Sequence, residues 1–241
     1  MRPIILFLFL FGTAYAQSDS LFNSETLLAN LEAFSADSMA GRGTGQKGGE
    51  MSQDFIEKRF RALKLLQFDS SYRHTFGFAN PFKKSKMNGT NMMGWIKGSK
   101  FPDKYIVISS HHDHLGERNG KIYNGADDNG SGTCALFSIA EYLNANPPQH
   151  SVILVAFDAE ENGLIGSKHF VNKPPVPLKK IVFNLNMDMI SRDEQQKIFM
   201  CGPAHYPKVK KALTHIDTAS TINVEFGHDT GAARSEDWTH A

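Results

Sequence analysis

The chain has 241 residues, 26 of them basic and 25 acidic, and a formal net charge of +1. This length fits one α/β domain and leaves little room for a second. The balanced charge offers no basic stripe for nucleic acid and no charged block for an anionic membrane surface. The two cysteines, Cys134 and Cys201, are too few for a disulfide scaffold, and the sequence does not decide whether they pair.

The N-terminus has the pattern of an export signal. Met1-Arg2-Pro3 is a basic start, residues 4–11 are an unbroken apolar stretch, and Ala14-Tyr15-Ala16 ends it with small residues. The apolar run is too short to span a bilayer as a helix. We therefore expect residues 1–16 to be a cleaved signal peptide and the protein to be secreted or periplasmic. A buried N-terminal helix is the alternative, but it would offer no polar face.

The next segment predicts two helices joined by a loop. Apolar residues recur at helical spacing from Glu25 to Leu31, and a second helix is expected from Met51 to Leu65. The glycine-rich stretch at 40–49 between them lacks the Gly-Lys-Ser/Thr ending of a phosphate-binding loop. Residues 68–88 are polar and rich in turn formers, and they show little periodicity. They are also too short for an inserted domain, which leaves residues 17–241 as one domain.

From residue 91 onward, predicted strands alternate with predicted helices. The strands are expected at 92–96, 105–109, 151–157, 181–185 and 198–201, and the helices at 133–143, 164–171 and 207–216. The run at 151–157 is apolar and β-branched throughout, as in a strand buried on both faces. This alternation predicts a three-layer α/β fold, with a central, mostly parallel mixed sheet and helices on both faces.

Four acidic or histidine-rich segments each close an apolar run. They are residues 110–114, 125–132, 157–163 and 186–189. In open α/β sheets ligands bind at the carboxyl ends of strands, so we expect these segments to meet at one edge. Imidazole and carboxylate groups together are ligands for hard or borderline metals.

The first of these segments contains His111 and Asp113. Residues two apart on an extended chain face the same side, so the Asp113 carboxylate can accept a proton from the far ring nitrogen of His111. That contact would fix the tautomer of His111 for metal binding. A histidine-rich surface turn is the competing interpretation. We expect His112 to point the other way and His114 to lie further out, and we predict neither as a ligand.

The second segment resembles the start of an EF-hand calcium loop. Counted from Asp127, however, position twelve is Ser138, where a bidentate glutamate is needed. The calcium interpretation therefore fails. What remains is a carboxylate in a tight, glycine-bounded loop before a helix, placed to bridge two cations.

The last two segments supply Glu160, Glu161 and Asp188. Adjacent acids usually mark a solvated turn, but Glu160 and Glu161 follow a fully apolar strand. Neighbours on an extended chain point in different directions, so one can bind metal while the other faces substrate as a proton acceptor. Asp188 lies between two methionines and would be unusual in a core unless it is paired or metal-bound.

With these motifs in this order, the chain resembles the co-catalytic di-zinc aminopeptidases, which are relatives of glutamate carboxypeptidase and of glutaminyl cyclase. The elements that carry the resemblance are His111-x-Asp113, residues 125–132, residues 160–167, Asn186-x-Asp188-Met189 and an upstream Asp37-x-x-x-Gly41-Arg42-x-x-Gly45. The similarity covers roughly residues 31–190.

The resemblance implies two zinc ions. His111 and Asp188 would hold one ion, Asp128 would bridge, and Glu161 would hold the other. The family also has a fifth ligand, a histidine in a Ser-Asp-His-like segment. None of the available histidines stands in such a motif: His205, His215, His228 and His240. We therefore expect the sequence to be a fragment that ends before this ligand, which would leave the second zinc site incomplete and the chain itself inactive.

The resemblance also implies the chemistry. Glu160 would be the general base and Asp113 would orient His111. The reaction would be hydrolysis of the N-terminal bond of a peptide with a free amino group by a two-metal-activated water. The peptide bond between Asp128 and Asn129 is expected to be cis. The alternatives are a glutaminyl-peptide cyclase-like enzyme with one zinc and a non-catalytic, receptor-like binding domain of the same fold.

Overall fold

The computed structural model describes residues 22–82, 85–191, 194–195, 197–213 and 223–229. The expected signal peptide, His215 and His240 lie outside these residues. The helices are α1 (Ser24–Phe34), α2 (Lys47–Ala62), α3 (Gly132–Ala145), α4 (Ile165–Asn172) and α5 (Pro207–Leu213). The strands are β1 (Arg73–Ala79), β2 (Lys86–Ile96), β3 (Phe101–His111), β4 (Gly116–Arg118), β5 (Lys121–Tyr123), β6 (His150–Phe157), β7 (Ile181–Asn186), β8 (Lys197–Met200) and β9 (Asn223–Phe226). Within the described ranges, no helix is long and apolar enough to cross a membrane.

A five-stranded mixed sheet lies at the centre, in the order β1–β2–β6–β3–β7. Strand β3 pairs in parallel with both β6 and β7, whereas the β1–β2 and β2–β6 pairings are antiparallel. Strand β6 is the middle strand and is buried along almost its whole length, as its apolar sequence predicts. The predicted mixed α/β sheet is confirmed. Its parallel strands β6, β3 and β7 are the ones whose carboxyl ends lie together.

Alternate side chains of β6 face two separate apolar layers. Val152 and Leu154 pack in a cluster with Phe60 of α2. Ile153 lies on the opposite face, in a cluster with Phe170 of α4. Because side chains alternate along a strand, the apolar run of β6 fills both layers at once. Helices therefore cover the sheet on both faces, which confirms the three-layer arrangement.

Residues 68–88, where the sequence shows little periodicity, contain β1 and the start of β2. Strand β1 is an edge strand that pairs only with β2, and Phe76 is its one buried residue. An edge strand that is largely exposed carries a weak hydrophobic pattern, because its pairing partner rather than its own burial holds it in place.

A buried arginine, Arg42, connects the segment between α1 and α2 to two loops near the sheet edge. Its guanidinium donates to the carbonyls of Phe34, His112, Asn124 and Gly125 at distances of 2.5–3.1 Å. The side chain is fully buried. Burial lowers the pKa of Arg42 to about 10, so it stays charged at neutral pH. This one side chain thus holds the backbone just after β3 and the backbone of the turn before α3.

Candidate metal centre

The carboxyl ends of β3, β6 and β7 lie side by side. In the sheet register His111 pairs with Phe157, and Ser109 pairs with Asn186. The segments that follow these strands therefore begin at one edge, as expected for an open α/β sheet. The irregular turn at Ala126–Ser131, which precedes α3, completes the edge.

Three side chains form what we call the first cluster: His111, Asp128 and Asp188. The His111 Nε2 atom lies 3.2 Å from Asp128 Oδ1 and 3.5 Å from Asp188 Oδ1. One ligand atom from each residue lies within 4.8 Å of the others. Asp188 Oδ1 is buried and has no hydrogen-bond partner in the described part of the chain. The structure thus brings together three of the four predicted metal ligands.

Glu161, the fourth predicted ligand, lies in a second cluster with Asp128 and His114. The His114 Nδ1 atom lies 2.8 Å from Glu161 Oε1 and 3.7 Å from Asp128 Oδ2. These three residues also present ligand atoms within 4.8 Å of one another. The expectation that His114 lies further out is therefore wrong. Strand β3 ends at His111, and the backbone N–H of His114 donates to the Arg42 carbonyl at 3.3 Å, so the extended geometry does not continue.

Asp128 belongs to both clusters, with Oδ1 towards His111 and Oδ2 towards His114. The peptide bond between Asp128 and Asn129 is cis, as expected from the resemblance. The Asn129 side chain donates to the Met187 carbonyl at 2.9 Å and accepts from Gly132 N–H at 3.0 Å. These bonds attach the turn that carries Asp128 to the segment that carries Asp188.

Glu160 stands outside both clusters. Its Oε2 atom lies 3.9 Å from His111 Nε2, and its side chain is 25% exposed. Burial, together with the charges of Asp113, Asp188 and Glu161, raises the pKa of Glu160 to about 7, although His111 opposes the rise. Glu161 therefore belongs to the second cluster, whereas Glu160 lies beside the clusters and belongs to neither.

Asp113 supports the site differently from the prediction. His111 Nδ1 lies 3.0 Å from the Asp113 backbone carbonyl, whereas the nearest Asp113 carboxylate oxygen is 3.8 Å away. The carboxylate instead accepts from the backbone N–H groups of Glu160 and Glu161, at 3.0 and 3.2 Å, and from the Thr44 hydroxyl at 3.1 Å. The carbonyl is thus the closer acceptor for a proton on Nδ1, a contact that leaves Nε2 to face the first cluster. The carboxylate fixes the backbone of both glutamates.

His112 points away from both clusters, as predicted. Its Nδ1 atom lies 2.9 Å from Ser52 Oγ on α2, and its Nε2 atom lies 3.0 Å from the Thr90 carbonyl on β2. The residue is fully buried. These contacts connect β3 to the neighbouring elements beneath the site.

The charges and donors of the two clusters fit divalent cations. Burial by itself would lower the pKa of His111, but contacts with Asp113, Asp128 and Asp188 raise it well above its ordinary value. His114 Nδ1, Glu161 Oε1 and Asp188 Oδ1 are buried without hydrogen-bond partners among the described residues. Unpartnered buried acceptors are costly unless a cation meets them. Imidazole nitrogen with carboxylate oxygen is a donor set suited to zinc.

A mixed α/β sheet that carries two imidazole–carboxylate clusters at the ends of its parallel strands defines a metal-binding α/β protein. The profile of peptidase family M28 matches residues 91–239, which is more than half of the chain. The chain belongs to peptidase family M28.

Individual relatives agree with this assignment. The aminopeptidase YwaD of Bacillus subtilis (strain 168) is 36% identical over 95 residues, which are 39% of this chain and 20% of that protein. The chain thus spans about a fifth of that relative's length. The glutaminyl cyclase of Porphyromonas gingivalis has a TM-score of 0.72 at 16% identity, covering 86% of this chain and 76% of that chain. A Zn-dependent exopeptidase from Parabacteroides distasonis has a TM-score of 0.65 at 16% identity, covering 86% and 77%. The two solved structures confirm the zinc-exopeptidase-like fold.

Proposed function

We propose that this protein is an exported zinc-dependent aminopeptidase that uses two metal ions to hydrolyse N-terminal peptide bonds. The observation that carries the proposal is the pair of clusters that share Asp128, with Glu160 beside them and outside both. Membership of peptidase family M28 and the similarity to a protein named as an aminopeptidase support it.

In this proposal His111 and Asp188 would hold one zinc ion, Glu161 would hold the other, and Asp128 would serve both. When bound, zinc acts as a Lewis acid that polarises the scissile carbonyl and makes a water molecule more acidic. The proposal requires the unpartnered oxygens of Asp188 and Glu161 to face the ions. The acidic surroundings also favour a substrate with a free, positively charged amino group.

Glu160 moves the proton. Its carboxylate accepts a proton from the attacking water as the water oxygen bonds to the carbonyl carbon. It then delivers that proton to the leaving nitrogen as the carbon–nitrogen bond breaks. In the metal-free chain the pKa of Glu160 is about 7, and a neighbouring cation would lower it, which favours the ionised form that accepts the proton. Asp113 positions this base, since its carboxylate accepts from the Glu160 and Glu161 N–H groups.

Hydrolysis of an aminoacyl chromogenic substrate tests the proposal. In a protein whose two metal sites are complete, we expect turnover that a chelator abolishes and that added zinc restores. Glu160→Ala should remove turnover, whereas Glu141→Ala, at an exposed position on α3, should not. Hydrolysis that persists in Glu160→Ala would refute the assigned base, and hydrolysis that a chelator leaves intact would refute the metal mechanism.

Glutaminyl cyclisation is the second candidate, because a glutaminyl cyclase shares the fold with a TM-score of 0.72. That reaction forms a ring at an N-terminal glutamine and releases ammonia without hydrolysing a peptide bond. A glutaminyl peptide followed by mass spectrometry separates the two activities. Ammonia release with an intact peptide chain would identify a cyclase. Peptide binding without turnover of either kind would identify a non-catalytic binding domain.

Export is the other part of the proposal. It is supported by the basic start, the apolar run and the small-residue ending within residues 1–16. N-terminal sequencing of the protein recovered outside the cytoplasm should begin at Gln17. Retention of Met1 in the cytoplasmic fraction would contradict it.

A further inference from the structure

Asp158 is a buried acidic residue that has no role in the proposed reaction. It directly follows β6 and is only 1% exposed. Burial and the charge of Asp113 raise the pKa of its carboxyl, although His112 opposes the rise. A buried carboxylate destabilises the fold unless other contacts compensate for its lost hydration, so its place directly before Ala159 and the two glutamates requires a physical explanation.

The Asp158 carboxylate accepts hydrogen bonds from three segments of the chain. Its Oδ1 atom accepts from the Ala159 N–H at 2.7 Å and from the Thr44 hydroxyl at 2.8 Å. Its Oδ2 atom accepts from the backbone N–H of Thr90 in β2 at 2.7 Å. One side chain therefore connects the loop before α2, strand β2 and the turn that follows β6.

We propose that Asp158 is a positioning residue for the base Glu160, because it fixes the backbone turn that places Glu160 beside the clusters and Glu161 in the second one. The inference rests on the proposed function and deepens it, since it assigns a role to a side chain that belongs to neither cluster.

The conformation of Ala159 shows what Asp158 has to hold. Ala159 is fully buried and has a φ of 56°, in the left-handed region that a residue with a Cβ atom adopts only where its surroundings impose it. Directly after it, the N–H groups of Glu160 and Glu161 donate to the Asp113 carboxylate at 3.0 and 3.2 Å. Asp158 holds the N–H of Ala159 itself. Three successive N–H groups are thus bound by two carboxylates, and the last two depend on the left-handed turn at the first.

Thr44 connects these two carboxylates. Its hydroxyl lies 2.8 Å from Asp158 Oδ1 and 3.1 Å from Asp113 Oδ2, and both acidic residues are fully buried. Two carboxylates in a buried environment repel each other, and a hydroxyl between them offsets part of that repulsion. A displacement of Asp158 would therefore also disturb Asp113, which binds the glutamate N–H groups.

The backbone of Asp158 is itself held from β2 and α4. The Asn91 side chain accepts from the Asp158 N–H at 3.1 Å and donates to the Gly166 carbonyl at 2.9 Å. A Cβ atom at Gly166 would lie 2.2 Å from the Asp158 carbonyl oxygen, so α4 packs directly against this backbone. Because its own backbone is fixed, the Asp158 side chain can act as a rigid support for the turn.

Amide hydrogen exchange in the metal-free 241-residue chain tests the inference without measuring activity. Asp158→Asn keeps the size of the side chain but offers one acceptor oxygen in place of two. We expect exchange at Glu160 and Glu161 to become about 10-fold faster, although neither N–H bonds to Asp158.

Ser151→Ala is the matched control for this experiment. Ser151 is fully buried near the opposite end of β6, where its hydroxyl accepts from the Gly98 N–H and donates to the Pro102 carbonyl. Its loss should destabilise the same strand without reaching the turn, so exchange at the two glutamates should stay within about two-fold of wild type.

Kinetics separates positioning from a merely structural role. In a protein whose two metal sites are complete, Asp158→Asn should lower kcat about 10-fold and leave KM and the zinc stoichiometry unchanged, because a displaced base slows proton transfer without weakening substrate binding. Ser151→Ala should lower the free energy of unfolding and leave kcat unchanged.

Faster exchange at Ala159 alone would overturn the inference, because Asp158 would then hold only its own neighbour. An unchanged kcat in Asp158→Asn would overturn it as well. If wild type hydrolyses no aminoacyl substrate, the proposed function fails, while the exchange rates still decide whether Asp158 holds the turn.

Should Asp158→Asn not fold, exchange in wild type provides the test. At increasing urea concentrations, the amide protons of Ala159, Glu160 and Glu161 should exchange through one shared opening with the same free energy. Separate openings for Ala159 and for the two glutamates would refute the assignment.

Discussion

The two clusters share Asp128 but are built by different parts of the fold. In the first, His111 is the last residue of β3 and Asp188 follows β7 by two positions, so hydrogen-bonded strands hold the ligands. In the second, His114 and Glu161 lie on loops beyond the strand ends. The buried Arg42 side chain donates to the His112 carbonyl in the first loop, and the buried Asp113 carboxylate accepts from the backbone N–H groups of the second.

This difference has an energetic consequence. Strand ends are positioned by the cooperative sheet, whereas loops depend on a few buried polar contacts, each of which contributes about 1–3 kcal/mol. We therefore expect the first ion to bind more tightly and to tolerate remote substitutions. The second ion should respond to changes in residues that never touch it.

Substitution of Asp128, the carboxylate that both clusters share, should have the largest effect on metal binding and activity. Asp128→Ala should remove both ions and lower kcat/KM by about 10⁴-fold or more, because each ion contributes several kcal/mol. Asp188→Ala should remove only the first ion, and Glu161→Ala only the second. Zinc stoichiometry and hydrolysis rates are measured together.

Asp127→Asn is the matched control for Asp128→Ala. It removes an adjacent charge that bonds to Ser191 and belongs to neither cluster, so both ions should remain. Retention of both ions in Asp128→Ala would mean that the clusters are independent sites.

Glu160 lies beside both clusters, and its substitution should separate chemistry from metal binding. Glu160→Gln should lower kcat by about 10³-fold, within the usual range for general acid–base catalysis, while zinc stoichiometry stays unchanged. The amide keeps the size of the side chain but cannot accept the proton. Loss of a zinc ion in this variant would instead identify Glu160 as a ligand.

The strand-end cluster could be predicted from the sequence because its signals are local. An apolar run that ends in a polar residue marks a strand end, and parallel neighbours place such ends together. The order of β3, β6 and β7 in the sheet did not need to be known. The division of the ligands between two ions, with His111 and Asp188 at one and Glu161 at the other, was implied by the family resemblance and not by this reasoning.

The loop cluster could not be predicted in full, because its contacts join distant segments. Arg42 meets the His114 loop across about 70 positions, and Thr44 meets Asp113 across 69. No local pattern shows that His114 turns back, or that the Asp113 carboxylate serves the glutamates rather than His111. The clearest available signal was Gly125, a glycine in a tight loop where a neighbouring ring needs the space.

The pH dependence of stability tests how strongly burial and the neighbouring carboxylates disfavour the ionised form of Glu160 in the metal-free site. The pKa of Glu160 is about 7 in the folded chain against 4.5 ordinarily, so the folded chain binds more protons between those values. Stability of the metal-free wild type should therefore fall as pH rises from 4.5 to 7. The Glu160→Gln variant has no titrating group at this position. Its free energy of unfolding should therefore exceed that of wild type by an amount that grows from pH 4.5 to pH 7 and levels off at about 1–3 kcal/mol.

Urea unfolding in chelator at pH 5 and pH 8 measures the difference between Glu160→Gln and wild type, with Glu141→Gln as the control for a lost exposed charge. A difference that is equal at both pH values would show that Glu160 is not destabilised by its surroundings. Added zinc should reduce the difference, because a cation attracts the ionised carboxylate.

The smallest expected effect concerns Thr44, which touches neither cluster. Its hydroxyl lies 2.8 Å from Asp158 Oδ1 and 3.1 Å from Asp113 Oδ2, and Asp113 in turn holds the Glu160 and Glu161 N–H groups. Thr44→Val keeps the shape but removes these bonds, so the second ion should bind about 10-fold more weakly while the first is unchanged. Thr44→Ser keeps the hydroxyl and should bind both ions as wild type does. An equal loss of affinity for both ions in Thr44→Val would show that Asp113 supports the two clusters alike. In that case the difference between ligands on strand ends and ligands on loops would not determine metal affinity.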